Sequence, residues 1–313
     1  MSFGRESTTD DVLQGIDLTG KQALVTGASA GIGVETARAL AAHGAAVTMA
    51  VRDLEKATPV MEAILAEVPD AQLDLRYVDL ADLDTIDPFC HGVLEDHPSI
   101  DILVANAGIM ACPEGRTKQG FELQFGTNHL GHFKLVTGLL PALLAAGQSR
   151  VVVLSSSGHR FSDVDLEDWN FERTPYDAWL SYGRAKSANV LFAVGLDDRY
   201  KAQGLRAFAV HPGGIQTELG RHLTDETLGV MIERTKNLAE PVFWKSVPQG
   251  AATSVWGATS PDLDGQGAIF LEDCHIAEVV TDPNQMGGVR EYALDHDTAA
   301  ALWDLSERLL ADA

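Results

Sequence analysis

Short apolar runs alternate with longer amphipathic stretches from near the start of the chain. The runs are rich in β-branched residues and are therefore predicted to be strands. They cover residues 23–26, 46–51, 73–77, 100–105, 151–154, 207–210 and 268–271. Between them, apolar positions recur at helical spacing over residues 32–43, 54–67, 121–144 and 182–200. Each of these stretches is long enough for several turns of helix.

This alternation predicts an α/β protein with a doubly wound parallel sheet and helices on both faces, because parallel neighbours need crossover connections that cover the sheet. The sequence has no repeat of fixed period, no low-complexity block and no linker rich in Pro, Gly or Ser. We therefore expect one domain over residues 18–313. The polar residues 1–17 are expected to form a loose N-terminal arm.

Two further segments interrupt the alternation. Residues 159–177 form an acidic insert that contains Phe161, Trp169 and Phe171. Residues 214–247 follow a strand and carry apolar side chains at Leu223, Leu228, Met231, Ile232, Phe243 and Trp244. Open α/β sheets bind ligands beyond the carboxyl ends of their strands. The second segment is therefore either a lid over an apolar substrate pocket or a helical pair packed on the core, and the sequence leaves both open.

The composition of the chain argues against two classes of binding partner. The 313 residues carry 23 basic and 45 acidic side chains, a net charge of −22. Nucleic acid and anionic membranes are bound through basic patches, so neither is expected as a partner. The longest apolar stretch, residues 135–146, falls short of the roughly 20 residues that span a bilayer, and no membrane anchor is expected.

The cysteines and the N-terminus bear on the compartment. Cys90, Cys112 and Cys274 are too few and too scattered for a disulfide framework or a zinc site. Residues 1–11 lack the basic and apolar regions of a signal peptide. A reducing, cytoplasmic location is therefore expected.

A glycine-rich turn lies between the first predicted strand and the first predicted helix. It reads Thr26-Gly27-Ala28-Ser29-Ala30-Gly31-Ile32-Gly33. Glycines let the backbone approach a pyrophosphate, and the free N–H groups at a helix start bind its oxygens. In this position the turn predicts a dinucleotide site and a Rossmann-like fold.

The same turn matches a competing motif. Gly27-Ala28-Ser29-Ala30-Gly31 fits the G-x-S-x-G nucleophile elbow of serine hydrolases. That reading needs an oxyanion-hole loop upstream and an acid and a histidine downstream, and nothing before Ser29 resembles such a loop. Ser29 is more simply interpreted as part of the turn.

The end of the second strand bears on the choice of cofactor. An acidic residue there would bind the ribose hydroxyls of NAD, whereas an arginine accommodates the additional phosphate of NADP. Arg52 favours NADP(H), while Asp53 leaves NAD(H) possible. The alternative is a surface Arg-Asp pair. Asp79, after the third strand, would accept from the adenine amine or cap the turn before Leu80.

Tyr182 and Lys186 stand four residues apart on a predicted helix and therefore project from one face. A nearby cation stabilises a tyrosinate and lowers the phenol pKa from about 10 toward the range useful for general acid–base catalysis. Such a pair also occurs on many helices by chance. The neighbouring motifs are therefore needed to judge whether this pair is catalytic.

The neighbours form a recognisable set. Ser155-Ser156-Ser157 follows one apolar strand, Asn106-Ala107-Gly108 follows the preceding one, and His211-Pro212-Gly213 with Thr217 follows the next. Together with the glycine-rich turn, Asn128, Tyr182 and Lys186, they resemble the short-chain dehydrogenase/reductase family over residues 18–310. The insert, the step at residues 51–53 and the end of the chain are similar to the branch of retinol dehydrogenases and the WW-domain oxidoreductase.

The resemblance implies a role for each catalytic residue. Tyr182 would exchange a proton with the substrate oxygen while hydride moves to or from a nicotinamide. Ser156 would hydrogen-bond that oxygen; counting along the strand favours it over the neighbouring serines, whose alternative is to cap the turn. Lys186 would hold the nicotinamide ribose and lower the pKa of Tyr182, and Asn128 would anchor a water for proton relay.

The resemblance also implies the cofactor site, a lipophilic alcohol or carbonyl substrate such as a steroid, retinoid or aryl compound, and a homo-oligomer, either a dimer or a tetramer. The expected cofactor contacts are Gly27, Ser29, Ala30, Gly31, Ile32, Gly33, Arg52, Asp79, Leu80, Asn106, Ala107, Gly108, Tyr182, Lys186, Pro212, Gly213, Ile215 and Thr217. A dinucleotide-binding sensor or scaffold without turnover is the non-enzymatic alternative, and the intact Ser156, Tyr182 and Lys186 argue against it.

The histidines are weaker candidates. His129 and His132 lie about one helical turn apart, but no third ligand follows at a recognised spacing, so no metal site is expected. His211 either orients the backbone of the cofactor loop or is a core histidine with its hydrogen bonds satisfied.

Overall fold

A parallel β-sheet runs through the middle of the molecule. The computed structural model describes residues 3–236, 243–282, 284–285 and 287–313. Within these residues the main sheet has the strand order β10-β9-β6-β5-β4-β1-β2-β3, and only β10 runs antiparallel. A separate parallel pair joins β7 to β8. The strands are β1 Gln22–Thr26, β2 Ala46–Val51, β3 Gln72–Tyr77, β4 Ile102–Ala105, β5 Ser149–Leu154, β6 Leu205–His211, β7 Gly214–Ile215, β8 Trp244–Lys245, β9 Ile269–Glu272 and β10 His275–Ile276.

Helices cover both faces of this sheet. The α-helices are α1 Thr9–Val12, α2 Gly31–Ala42, α3 Leu54–Glu67, α4 Ile86–Asp96, α5 Leu123–Phe125, α6 Gly131–Gly138, α7 Leu140–Ala145, α8 Ala178–Tyr200, α9 Asp225–Thr235, α10 Val247–Thr259 and α11 His296–Ala311. A π-helical turn, Gly126–Leu130, joins α5 to α6. Short 3₁₀ turns occupy Leu83–Thr85, Ser157–Phe161, Lys201–Gln203, Glu218–His222, Pro261–Leu263 and Glu291–Leu294.

The central strands are apolar on both faces because both faces are covered. All four residues of β4 are buried, and β1 and β5 each leave one residue half-buried. One core, on the α4, α6, α8 and α11 side, includes Phe133, Phe192 and Trp303. A second core, on the α2 and α10 side, includes Leu40 and Trp256. The predicted α/β fold with a doubly wound, Rossmann-like sheet is confirmed.

The long helix predicted at residues 121–144 is present but interrupted. Glu122 begins it by accepting the N–H groups of Gln124 and Phe125 with its carboxylate. The π-helical turn follows, and the helix breaks again at Leu139, with Pro141 in the first turn of α7. Proline is tolerated there because the first amides of a helix have no partner within it.

The N-terminal segment is packed where the sequence predicts a loose arm. Thr8 caps α1, and Val12 and Leu13 are buried in the core on the α2 and α10 side. The carboxylate of Glu35 on α2 accepts from the Thr9 hydroxyl. This part of residues 1–17 is therefore packed on the domain, because its two apolar side chains complete the core.

The insert at residues 159–177 is held by a buried carboxylate. Asp168 accepts from the backbone N–H groups of Glu172, Arg173 and Thr174. Arg184 on α8 donates to the Asp168 carbonyl at 2.9 Å, and its guanidinium lies 4.3 Å from the ring centre of Phe171. These contacts fix the insert to the helix that carries Tyr182.

The segment at residues 214–247 contains β7, a 3₁₀ turn, α9 and β8. Leu223 and Met231 pack against Ala111, Trp179 and Tyr182. In contrast, Leu228, Ile232, Phe243 and Trp244 are exposed. Leu223 and, from α9, Met231 thus lie next to Tyr182, and the interpretation of the segment as a lid stays a prediction. Residues 237–242 of the predicted lid lie outside the described residues.

Candidate active site

The carboxyl ends of β1, β4, β5 and β6 meet along one edge of the sheet because these strands are parallel neighbours. Thr26 ends β1, Asn106 follows β4, Ser156 follows β5 and His211 ends β6. The sequence motifs that lie far apart in the chain are therefore brought together at this edge.

The glycine-rich turn uses its glycines for close backbone approach. Gly27 has a φ of +69°, and a Cβ there would lie 2.8 Å from Cα of Ala107. A Cβ on Gly33 would lie 2.4 Å from the Gly27 carbonyl oxygen. Ala30, at the N-cap of α2, has no side-chain acceptor for the first helical amides. The turn thus leaves amide donors for an anion, and its shape fits a dinucleotide pyrophosphate.

Asn106 fastens this turn to β4. Its side-chain amide donates to the Thr26 carbonyl at 2.8 Å, and its backbone N–H donates to the Thr26 hydroxyl at 2.9 Å. The N–H of Ala107 donates to the same hydroxyl at 3.0 Å. The Asn106 side chain therefore supports the floor of the expected cofactor site.

Tyr182, Ser156 and Lys186 form one cluster. The hydroxyl of Ser156 is near enough to the phenol of Tyr182 to lower its pKa. The ammonium of Lys186 lies 5.7 Å from the Tyr182 ring centre and donates to the Leu154 carbonyl at 2.9 Å. Leu154 ends β5, so Lys186 is held by the strand that leads to Ser156.

The other two serines have different contacts. The hydroxyl of Ser155 donates to the Lys186 carbonyl, and the backbone N–H of Ser157 donates to Nδ1 of His211 at 3.1 Å. Of the three serines, Ser156 is the one whose hydroxyl affects the pKa of Tyr182. Its hydroxyl also accepts from the N–H of Gly158 at 3.0 Å, which fixes its direction.

Burial controls the acid–base properties of this cluster. Burial raises the pKa of Tyr182 to about 12, against the hydrogen bond of Ser156, which lowers it. The expectation that Lys186 lowers this pKa stays a prediction. Burial also lowers the pKa of Lys186 to about 8, so its ammonium remains mostly protonated at pH 7.

Asn128, which is part of the π-helical turn, lies close to Lys186 of α8. Its side chain accepts from the N–H of Ile109 at 2.9 Å and donates to the Ile109 carbonyl at 2.9 Å. A Cβ on Gly108 would lie 3.1 Å from Oδ1 of Asn128 and 3.7 Å from Nζ of Lys186. Gly108, Asn128 and Lys186 therefore converge on one small region.

The residues after β6 close the other side of the cleft. Thr217 packs on Gly31, where a Cβ would lie 3.2 Å from its methyl group. Gly213, next to Pro212, has a φ of +100°, and a Cβ there would contact the aliphatic chain of Lys245. Nδ1 of His211 also faces the Gly213 N–H at 3.4 Å, so this histidine orients the backbone on both sides of the cleft.

Two predicted cofactor residues are engaged in packing. Ile215 packs against Gly250 of α10 and lies close to Ile32, while Leu80 is buried beneath Gly131 of α6. Their side chains support the walls of the site from behind.

The residues at the ends of β2 and β3 form the outer end of the cleft. Arg52 is exposed, and within the described ranges no carboxylate forms an ion pair with it. Asp53 caps α3 by accepting from the N–H of Lys56 at 2.9 Å. Asp79 accepts from the N–H of Ala81 at 2.9 Å, so one of its oxygens has the capping role.

An apolar wall stands next to Tyr182. It comprises Ala111, Trp179 and Tyr182 with the partly buried Met110, Phe161, Ala178, Leu223 and Met231. The indole N–H of Trp179 donates to the Thr227 carbonyl of α9 at 2.8 Å, and its ring stands edge-on to Tyr182 with centres 6.2 Å apart.

Sequence reasoning missed Trp179 and Gly158. Trp179 lies three residues before Tyr182, so helical spacing could have placed the two on one face. No local signal pointed to Gly158.

The competing sites find no support. In the part of the chain that the structure describes, no histidine or carboxylate hydrogen-bonds Ser29, which a nucleophilic serine requires. His129 and His132 bind different hydroxyls, those of Ser306 and Thr26. Among the described residues there is no group of three or more His, Cys, Asp or Glu that could hold a metal ion.

Comparison with known proteins agrees with this geometry. The model of the short chain dehydrogenase family matches residues 21–228. The chain belongs to the short-chain dehydrogenase/reductase family. It is therefore an NAD(P)-dependent oxidoreductase that acts on alcohol and carbonyl groups. In the described residues, no helix is long and apolar enough to cross a membrane.

Individual relatives place the chain within this family. It is 45% identical over 294 residues to a probable oxidoreductase of Streptomyces lividans, covering 92% of this chain and 97% of the relative. It is 36% identical over 298 residues to retinol dehydrogenase 14 of Mus musculus, covering 92% and 85%. It is 38% identical over 318 residues to the WW domain-containing oxidoreductase of Pongo abelii, covering 99% and 73%. The predicted resemblance to this branch is confirmed.

A substitution at Gly158 tests whether the position of the Tyr182 ring matters for activity. A methyl group added there would lie 2.6 Å from Cε1 of Tyr182 and must displace the ring. We expect Gly158→Ala to lower kcat/KM for a ketone roughly 100-fold while the cofactor Kd stays unchanged. Steady-state kinetics and a fluorescence titration of the cofactor measure the two quantities. The matched control is Gly92→Ala on α4, where the nearest atom, Nη1 of Arg76, is 3.5 Å away. Equal kcat/KM in the two variants would contradict this role for Gly158.

Proposed function

We propose that this dehydrogenase prefers NADP(H) and interconverts a lipophilic alcohol and its ketone or aldehyde, of steroid, retinoid or aryl type. The observation that carries the substrate class is the apolar wall around Tyr182, which includes Trp179 and the lid residues Leu223 and Met231. A substrate oxygen would meet Tyr182 and Ser156 while its carbon skeleton packs against this wall.

In the direction of reduction, the Tyr182 phenol gives its proton to the substrate oxygen, and Ser156 donates a hydrogen bond to that oxygen. A nicotinamide cofactor, when bound in the cleft, would supply the hydride for this reduction. The ammonium of Lys186 stabilises the tyrosinate that forms, because it remains mostly protonated at pH 7. In oxidation the same phenolate takes the proton back.

Lys186 and Asn128 are proposed to serve the cofactor and the return of the proton. Lys186 would bind the nicotinamide ribose, and Asn128 would hold the water that links Lys186 to solvent. Their convergence beside Gly108 supports both assignments. Asn106, Ala107, Pro212, Gly213 and Thr217 line the same cleft in this proposal.

The preference for NADP(H) is supported by charge at the outer end of the cleft. Arg52 is exposed, while the carboxylate of Asp53 is engaged in capping α3. Partial burial, with the positive charges of Arg221 and Arg52, lowers the pKa of His222. The two neighbouring guanidinium groups would attract the 2′-phosphate of NADP(H), a group that NAD(H) lacks.

The remaining proposals concern the whole molecule. Residues 18–313 form the catalytic domain, and the family supports a homo-oligomer. The three cysteines are free and buried. This usage supports a reducing, cytoplasmic compartment.

Arg52→Ala tests the cofactor preference. Loss of a charge-assisted hydrogen bond to phosphate should raise the Kd of NADPH roughly 10- to 100-fold and leave that of NADH nearly unchanged. Isothermal titration with each cofactor measures this. Arg173→Ala, an exposed arginine of the insert, is the control and should change neither value. An equal loss for both cofactors would exclude a 2′-phosphate contact by Arg52.

Substitutions on the two faces of α9 test the substrate class. Met231 packs toward Tyr182, whereas its neighbour Ile232 is 59% exposed. We expect Met231→Gln to raise KM for a bulky aryl ketone about tenfold, and KM for a small hydrophilic ketone much less, because it removes apolar contact area. Ile232→Gln should leave both values unchanged. If the two variants behave alike, α9 does not contact the substrate.

Tyr182→Phe tests the reaction itself. Oxidation of NADPH at 340 nm should be measured across a panel of ketones and aldehydes. Removal of the proton donor should lower turnover at least about 100-fold with cofactor binding retained. Tyr200→Phe, at the end of the same helix, should keep full activity. Turnover that survives Tyr182→Phe would refute the assigned proton donor. A wild-type protein that binds NADPH tightly without turnover would instead favour the sensor.

A further inference from the structure

His132 lies behind the cofactor-binding turn and has no part in the reaction described above. It is on α6 and is fully buried, as are its two hydrogen-bond partners. Its Nδ1 is 2.9 Å from the Asn128 carbonyl oxygen, and its Nε2 is 2.8 Å from the Thr26 hydroxyl. One imidazole therefore spans from the helix that carries Asn128 to the first residue of the glycine-rich turn.

The hydrogen bonds determine which nitrogen carries the proton. A carbonyl oxygen can only accept, so Nδ1 of His132 must donate to Asn128. The Thr26 hydroxyl already accepts from the backbone N–H groups of Asn106 and Ala107, which uses both of its lone pairs. Its single proton must then go to Nε2 of His132. Every hydrogen-bonding position of the ring and of the hydroxyl is satisfied in this arrangement and in no other.

The ring stays neutral at working pH. Burial lowers the pKa of His132 to about 4, and the charge of Lys186 acts in the same direction, against the hydrogen bond to Asn128. Nε2 therefore remains an acceptor throughout the neutral range, and the direction of the Thr26 hydroxyl does not change.

We propose that His132 is a positioning residue, which orients the Thr26 hydroxyl and so keeps the cofactor-binding turn in register with Asn128 and Lys186. Through Thr26 it acts on the backbone at Asn106 and Ala107, which lines the cofactor cleft. Through Asn128, whose side chain holds Ile109, it acts on the neighbourhood of Lys186. This inference needs only that the chain binds a nicotinamide cofactor, whatever its substrate or its preference for NADP(H).

His132→Asn separates the two hydrogen bonds. The shorter amide can still donate to the Asn128 carbonyl but cannot reach the Thr26 hydroxyl. We expect the Kd of the preferred cofactor to rise about tenfold, measured by fluorescence titration without substrate. Thr26→Val, which removes the hydroxyl at constant shape, should have an effect at least as large, because the N–H groups of Asn106 and Ala107 also lose this acceptor. The double variant should be no worse than Thr26→Val alone, because both substitutions remove the hydrogen bond between His132 and Thr26.

His129→Asn is the matched control. This histidine lies in the adjoining π-helical turn, is equally buried, and its Nε2 is 2.9 Å from the Ser306 hydroxyl. It packs against Phe125 and Phe192 rather than against the cleft. Its substitution should lower Tm by an amount comparable to His132→Asn but leave the cofactor Kd within about twofold of wild type.

Three results would overturn the proposal. The first is a cofactor Kd of His132→Asn equal to that of wild type or of His129→Asn. The second is strict additivity of the Thr26 and His132 effects. The third comes from nitrogen-15 NMR of the wild-type protein, which does not depend on a variant that folds. At pH 7 we expect His132 to be neutral with its proton on Nδ1. A proton on Nε2, or on both nitrogens, would refute the assigned orientation of the Thr26 hydroxyl.

Discussion

The site depends on the hydrogen bonds that join β1 to β4 where both strands end. The Thr26 hydroxyl accepts two backbone N–H groups, and the Asn106 amide binds the Thr26 carbonyl. A sheet ladder cannot satisfy these groups because the strands stop there. The side chains of Thr26 and Asn106 form hydrogen bonds with these backbone groups instead. They do so next to the glycine-rich turn, whose own amides must stay free for a phosphate.

Beside this joint, the buried polar groups of Lys186 and Asn128 have hydrogen-bond partners. Lys186 is bonded to the end of β5, and Asn128 uses both ends of its amide on Ile109. An unpaired polar group in such a site would cost about 1–3 kcal/mol. The partners therefore fix the donors and acceptors in place before any substrate arrives, which is the arrangement that electrostatic catalysis requires.

Much of this molecule could be predicted from its sequence. The alternation of strands and helices predicted the sheet, because a strand buried on both faces must be apolar throughout and therefore stands out. The motifs around Ser156, Tyr182 and Lys186 predicted which side chains meet, since parallel strands end at one edge. The packed N-terminal segment was not predicted, because only Val12 and Leu13 carry its signal and a pair of apolar residues has no period.

Other features depend on contacts distant in the chain. The raised pKa of Tyr182 follows from burial, which no spacing of residues reveals. The hydrogen bonds of Trp179 with Thr227 and of His132 with Thr26 each join residues more than 40 positions apart. Short motifs report local geometry, whereas these effects arise from tertiary packing.

The hydrogen bond from Trp179 to α9 has a consequence for how this enzyme can diverge. Its acceptor is the main-chain oxygen of Thr227, which every amino acid possesses. This hydrogen bond therefore does not depend on which amino acid occupies position 227. Mutations along α9 can therefore change the side chains beside Tyr182 without removing this hydrogen bond.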